Sequence, residues 1–134
     1  LDTPASLRYT DSHEWVRIDA DGCVTIGITA HAQDQLGELV YVELPAVGRS
    51  LTRGDAFAVV ESTKAASDVY APIDGEVVEV NSALADTPQS VNSAPYDTGW
   101  LIRVRPANAS QIESLLTAQA YLAGPGALRA EGMQ

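Results

Sequence analysis

AFAVVESTKAASDVYA, residues 56–71, sets two β-prone runs, AFAVVES at 56–62 and SDVYA at 67–71, on either side of a very short spacer. Only residues 63–66 lie between them, so an antiparallel hairpin is the simplest pairing. Lys64 then falls at the tip. It is the one lysine in 134 residues, and the other seven basic side chains are all arginine. The fold and the function both turn on why a chain otherwise without lysine places one on a bend of small residues between Glu61 and Asp68.

Outward from this hairpin the chain keeps alternating. HEWVRIDADGCVTIGIT, residues 13–29, reads as a second hairpin, with strands over 14–19 and 23–28 and a turn at Asp21-Gly22. TAHAQDQLG predicts a short helix capped by Thr29 and stopped by Gly37, and ELVYVELP returns to strand until Pro45. Gly48 and Gly54 bracket a loop, residues 72–75 make a turn, and GEVVEV forms a further strand. Residues 83–99 form a long loop with a helical turn near SVNSAPY, and WLIRVR closes the strand set. NASQIESLLTAQAYLAG, residues 108–124, predicts one C-terminal helix. Ser110 and Glu113 resemble a capping box, Gly124-Pro125 ends the helix, and Ile112, Leu115, Leu116, Tyr121 and Leu122 supply an apolar stripe. Residues 1–125 are expected to form one domain, with 126–134 a frayed tail too poor in apolar groups to offset ordering. Many short strands followed by a packing helix predict a mainly β domain.

Composition narrows the function classes. A net charge of −10 repels phosphate backbones and anionic lipid surfaces, so neither nucleic acid nor membrane is expected as a partner. The same charge suits docking on basic patches of other proteins, or simply a solvated surface. No apolar run approaches a membrane span. Cys23 has no partner for a disulfide and is expected to be a buried, inert strand thiol, which favours a reducing compartment. Two histidines and one cysteine, scattered, make no metal site. The chain starts at Leu1 without methionine, which leaves room for a removed leader: a cytoplasmic bacterial setting is expected, or a mitochondrial matrix if a leader is lost.

An exposed ammonium is hydrated and protonated at neutral pH, so unaided it is a poor nucleophile. Exposure among Ser62, Thr63, Ala65 and Ala66 does make the amine reachable by a modifying enzyme. From the residues alone, Lys64 is either an attachment point or a surface lysine serving solubility. A hydrolase built on Ser62 and Lys64 is disfavoured, because a tip offers no burial to lower the amine's pKa. Ser12-His13-Glu14 is not a catalytic triad, since neighbouring strand side chains face opposite ways.

VVESTKAASDVYAPIDGEVVEVN, residues 59–81, resembles the lipoyl-attachment segment of the glycine cleavage system H proteins. SHEWVR (12–17), GITAHAQDQLGELVYVELP (27–45) and NSAPYDTGWLIRV (92–104) resemble further blocks of that family, in the same order, and the likeness covers about residues 7–122. It implies a lipoyl-type flattened β-barrel, or barrel-sandwich hybrid, of two small antiparallel sheets with a short helix and a C-terminal helix. It implies lipoate in amide linkage on Lys64, with Glu61 and Asp68 helping recognition by lipoate-attaching enzymes. It also implies a cleft for the loaded arm near Ser12, Glu14, His31 and Asp68. Read as residues, the alternatives are a solvated strand residue for Glu14 and a helix-surface or packing histidine for His31. Thr63 and Ala30 depart from the family's pattern, the latter leaving capping to Thr29.

The implied role is that of a carrier, not an enzyme. It shuttles the aminomethyl group of glycine on lipoyl-lysine from glycine decarboxylase (P protein) to aminomethyltransferase (T protein), and is reoxidised by dihydrolipoyl dehydrogenase (L protein), working as a monomer. The serious alternative is an H-like donor that hands its lipoyl group to other enzymes. A biotin carrier domain is disfavoured because the only methionine, Met133, lies in the tail rather than beside the lysine.

Overall fold

The computed structural model describes residues 2–127. Among these residues nine strands form two sheets. A six-stranded sheet takes the order β1-β2-β3-β9-β8-β5, from β1 (Arg8–Tyr9), β2 (Glu14–Ile18), β3 (Val24–Ile28), β9 (Ile102–Pro106), β8 (Gly75–Val80) and β5 (Ser50–Leu51). A three-stranded sheet takes the order β4-β6-β7, from β4 (Leu39–Glu43), β6 (Ala56–Ser62) and β7 (Ala66–Tyr70). Every pairing is antiparallel. The two sheets share no ladder, so the expected barrel is an open sandwich of two antiparallel sheets, not a closed cylinder.

The alternation in the sequence sets which side chains meet. Val16, Val24, Ile26, Leu39, Val60, Val69, Ile73, Val77, Ile102 and Val104 are buried in one core cluster between the sheets. Trp15, one residue out of phase with Val16, faces the other way and joins Leu7, Tyr9, Ala118 and Tyr121 in a second cluster. Trp15 pairs with Gly27, and a β-carbon there would lie 2.7 Å from the indole, so the missing side chain is what lets the ring lie flat across the ladder.

Helix α1 (Ala30–Leu36) follows the expected caps: Thr29 accepts from the Ala32 amide, and Gly37, at φ +83°, closes the end. A 3₁₀ turn (Ser82–Ala85) and α2 (Ser90–Ser93) occupy the long loop. The C-terminal helix corrects the sequence reading. It is two short helices, α3 (Ser110–Glu113) and α4 (Ala118–Ala123), because Leu116 leaves the helical path to exchange both backbone hydrogen bonds with Tyr9, at 2.8 Å each. Ser110 does not cap; its amide and hydroxyl both donate to Asn108 Oδ1, and α4 is capped by Thr117. The break divides the expected stripe. Ile112 and Leu115 pack between the sheets, Ala118 and Tyr121 pack on the Trp15 side, and Leu122 is exposed.

Three smaller differences follow. Cys23 is half-buried and precedes β3, where a buried strand position was expected. β1 and β5 are two residues each, too short to give a readable alternation. Gly126, assigned to the frayed tail, is buried against the Tyr121 ring and donates to Tyr121 O at 2.8 Å; residues 128–134 of that tail lie outside the described residues.

Candidate functional site

Lys64 stands at the tip between β6 and β7, where Glu61 pairs with Ala66 in the last rung of the ladder. Residues 63–68 are all exposed, so the amine is open to solvent. Among the described residues it makes no ion pair; Glu61 and Asp68 point from the outer face of the three-stranded sheet without touching it. The lysine stem leans back over the end of α1, where a β-carbon on Gly37 would lie 3.7 Å from its Cε.

Glu14 begins β2 on the same face as Val16, which turns its carboxylate into the rim of the space between the sheets. It is only 2% exposed. Oε1 accepts from Thr10 Oγ1 at 2.5 Å and Ser12 Oγ at 2.6 Å, while Oε2 accepts from the Tyr70 amide of β7 at 3.1 Å. The carboxylate therefore bolts the two sheets together. Burial pushes its pKa up, and the three hydrogen bonds oppose that shift without cancelling it. Among the described residues no basic side chain pairs with this carboxylate, so a cation brought beside it would be stabilised.

Beside it, His13 adopts φ +74°, a left-handed conformation that non-glycine residues seldom take. Its ring stacks on His31 with centroids 4.7 Å apart and 19° between planes. His13 Nδ1 is 2.6 Å from the Tyr121 hydroxyl, which also shares a 2.9 Å hydrogen bond with Thr29, the cap of α1. Burial, then the neighbouring His31 ring, lower the pKa of His13 against an opposing pull from Asp11. Burial raises that of Tyr121 to about 12, so its hydroxyl stays protonated.

The structure thus brings Ser12 and Glu14 into direct contact and places His31 in a stack on the residue between them. Asp68 is exposed on β7, two residues from the Tyr70 amide that Glu14 holds, and its carboxylate has no hydrogen bond among the described residues. Sequence reading missed Thr10, His13, Tyr121 and the Tyr70 amide. Thr10 and Ser12, four and two residues before Glu14, were a usable signal for a side chain needing donors; Tyr121, distant in the chain, was not.

Two elements connect the tip to this cluster, each acting as a ruler. β7 runs from Ala66 beside Lys64 to Tyr70 at Glu14, about 13 Å at the usual strand rise. α1 runs from Gly37 under the lysine stem back to Thr29 and His31, about 10 Å at the helical rise. Both lengths fall within the reach of a lysine extended by an acyl chain of lipoyl size, on the order of 14 Å. Among the described residues there is no group of histidine, cysteine and carboxylate side chains able to hold a metal.

Known proteins resemble this chain over nearly its whole length. The sequence model of the glycine cleavage H-protein family matches residues 7–124. A glycine cleavage system H protein of Halorhodospira halophila is 58% identical over 118 residues, covering 88% of this chain and 91% of its own. One from Paraburkholderia phytofirmans is 52% identical over 127 residues, covering 95% and 100%. The crystal structure of a glycine cleavage system H protein from Mycobacterium marinum superposes with a TM-score of 0.82 at 42% identity, over 90% of this chain and 96% of that one. With the family's sequence model matched along residues 7–124 and its fold shared at a TM-score of 0.82, this chain belongs to the glycine cleavage H-protein family.

Proposed function

We propose that this chain is the lipoyl carrier of a glycine cleavage system, with lipoate held in amide linkage on Lys64 and no catalytic centre of its own. Family membership supports the carrier role, and the observation that carries the attachment site is a lone lysine on an exposed hairpin tip. The residues fit the group: the amine is unpaired among the described residues and accessible, and β7 leads from it to the buried Glu14 carboxylate and α1 to the His13–His31 stack, both at arm's length. When bound, lipoate supplies a reversible disulfide and a sulfur able to carry an aminomethyl group.

The chain's own residues do the rest. Glu14, short of a counter-charge, stabilises a cationic amine brought to the rim, and Ser12 and Thr10 aim its Oε1. The His13–His31 stack walls the site against water, and Asp68 stands exposed on β7 two residues from the Tyr70 amide that Glu14 holds. Glu61 and Asp68 share the outer face of the small sheet with Glu43, Tyr41 and Tyr70, a surface suited to basic partners such as a lipoate-attaching enzyme. Glycine decarboxylase, aminomethyltransferase and dihydrolipoyl dehydrogenase are the partners this role requires.

Intact-mass measurement on protein from its native host tests the reading: a lipoyl increment mapped to residue 64 is expected. Lys64→Arg should fold normally, take no increment and support no glycine–bicarbonate exchange with the three partner enzymes. Full exchange by that variant would refute the assignment.

A further inference from the structure

The hairpin tip is not closed in the ordinary way. In a four-residue turn the amide of the fourth residue usually donates to the carbonyl of the first. Here the Ala65 amide donates instead to the side chain of Ser62, reaching Oγ at 3.1 Å, and the Lys64 amide donates to the same oxygen at 3.3 Å. The Ser62 hydroxyl in turn lies 3.3 Å from Ala65 O, and the Ser62 amide donates to that carbonyl at 2.8 Å. Among the described residues no other protein group accepts from either amide. One hydroxyl therefore fixes the backbone on which the acceptor amine is mounted, and the neighbouring Thr63 makes no such bond.

We propose that Ser62 is a positioning residue for modification of Lys64: it pre-orders the tip so that an attaching enzyme meets the lysine backbone already in its bound shape. This rests on Lys64 being the lipoyl acceptor. Ordering a residue's backbone costs conformational entropy, so a tip that must be ordered during docking binds its enzyme more weakly. The side chain's own reactivity is untouched, because the amine is solvent-exposed with or without the hydroxyl.

The test uses unmodified protein with a lipoate–protein ligase, ATP and free lipoate, scoring the rate of mass increase against protein concentration. Ser62→Ala is expected to lower kcat/KM about fivefold, with the loss falling on KM, while Ser62→Thr, which keeps the oxygen, restores it. A small amine-directed acylating reagent should label Lys64 equally in all three proteins. Amide exchange on the unaltered chain gives a second readout: Lys64 and Ala65 should exchange more slowly than Thr63, and Ser62→Ala should erase the difference. Wild-type ligase kinetics in Ser62→Ala, or Lys64 and Ala65 amides no slower than that of Thr63, would overturn the role of Ser62 while leaving the carrier reading intact. An unaltered chain that takes no lipoyl group on Lys64 would overturn both.

Discussion

Glu14 is a carboxylate buried without a cationic partner among the described residues, and that burial carries a cost. Because burial raises its pKa above the ordinary 4.5, the folded chain holds this proton more tightly than the unfolded one. Stability contributed here is present below that value and is lost as pH rises through the raised pKa. Glu14→Gln should therefore be as stable as the parent at pH 4 and more stable by about 1 kcal/mol at pH 7, with its amide oxygen turned to the Tyr70 amide. On the proposed arm site, the same variant should lose the loaded one-carbon unit about tenfold faster, since a charge-assisted contact would be gone. Parallel thermal unfolding and release assays check both halves, and equal release rates would remove Glu14 from the cleft. His13 has the opposite sign. Its pKa is lowered from the ordinary 6.5 by burial and then by His31, so stability falls as pH drops below 6.5 toward the folded value. His13→Asn, a residue that tolerates positive φ, should flatten the unfolding midpoint across that range. The amino acids at this scale were readable in the letters, yet the His13–His31 stack was not. It depends on β3 delivering Thr29 to the carbonyl of His13, a contact between segments with no shared local pattern.

Elements whose boundaries are set by short-range chemistry were legible: the Thr29 and Gly37 caps of α1, the Asp21-Gly22 turn and the hairpin bearing Lys64. The C-terminal helix was not, because its apolar spacing was compatible with one continuous helix while tertiary pairing overrode it. Leu116 gives up helical bonds to complete the edge of β1, and Tyr121 is thereby turned to stack on Tyr9 at 4.8 Å. Tyr121→Phe keeps that stack but strands His13 Nδ1, so a loss of about 1–3 kcal/mol in chemical denaturation is expected. Sheet order was equally hidden, since β9 joins β3 to β8 across most of the chain and no local pattern encodes that choice.

At the scale of the molecule, the excess of acid is held in check by few cations. Arg103 alone reaches Asp19, Asp21 and Glu79, tying the first hairpin to β8. For Asp19, burial pushes the pKa up, but hydrogen bonds from Thr25, Arg17 and Arg103 more than reverse this and leave it below the ordinary 3.8. The stability this contributes is present above 3.8 and lost as pH falls through the lower folded value. Arg103→Ala should cost about 1 kcal/mol at neutral pH and low salt, with the deficit shrinking in high salt and in acid. Melting curves across that grid check it; a deficit insensitive to salt would mean that packing, not charge, holds the hairpin.

The solitary ε-amine of Lys64 also makes the chain's acylation state binary. No ladder of partly modified side chains can form, and neutralising that amine makes the net charge of −10 one unit more negative in a single step. With lipoate on Lys64 as proposed, isoelectric focusing of chain freed of any one-carbon load should then resolve the free-amine and acylated forms as two bands, and their ratio would read the attachment enzymes' throughput without any label.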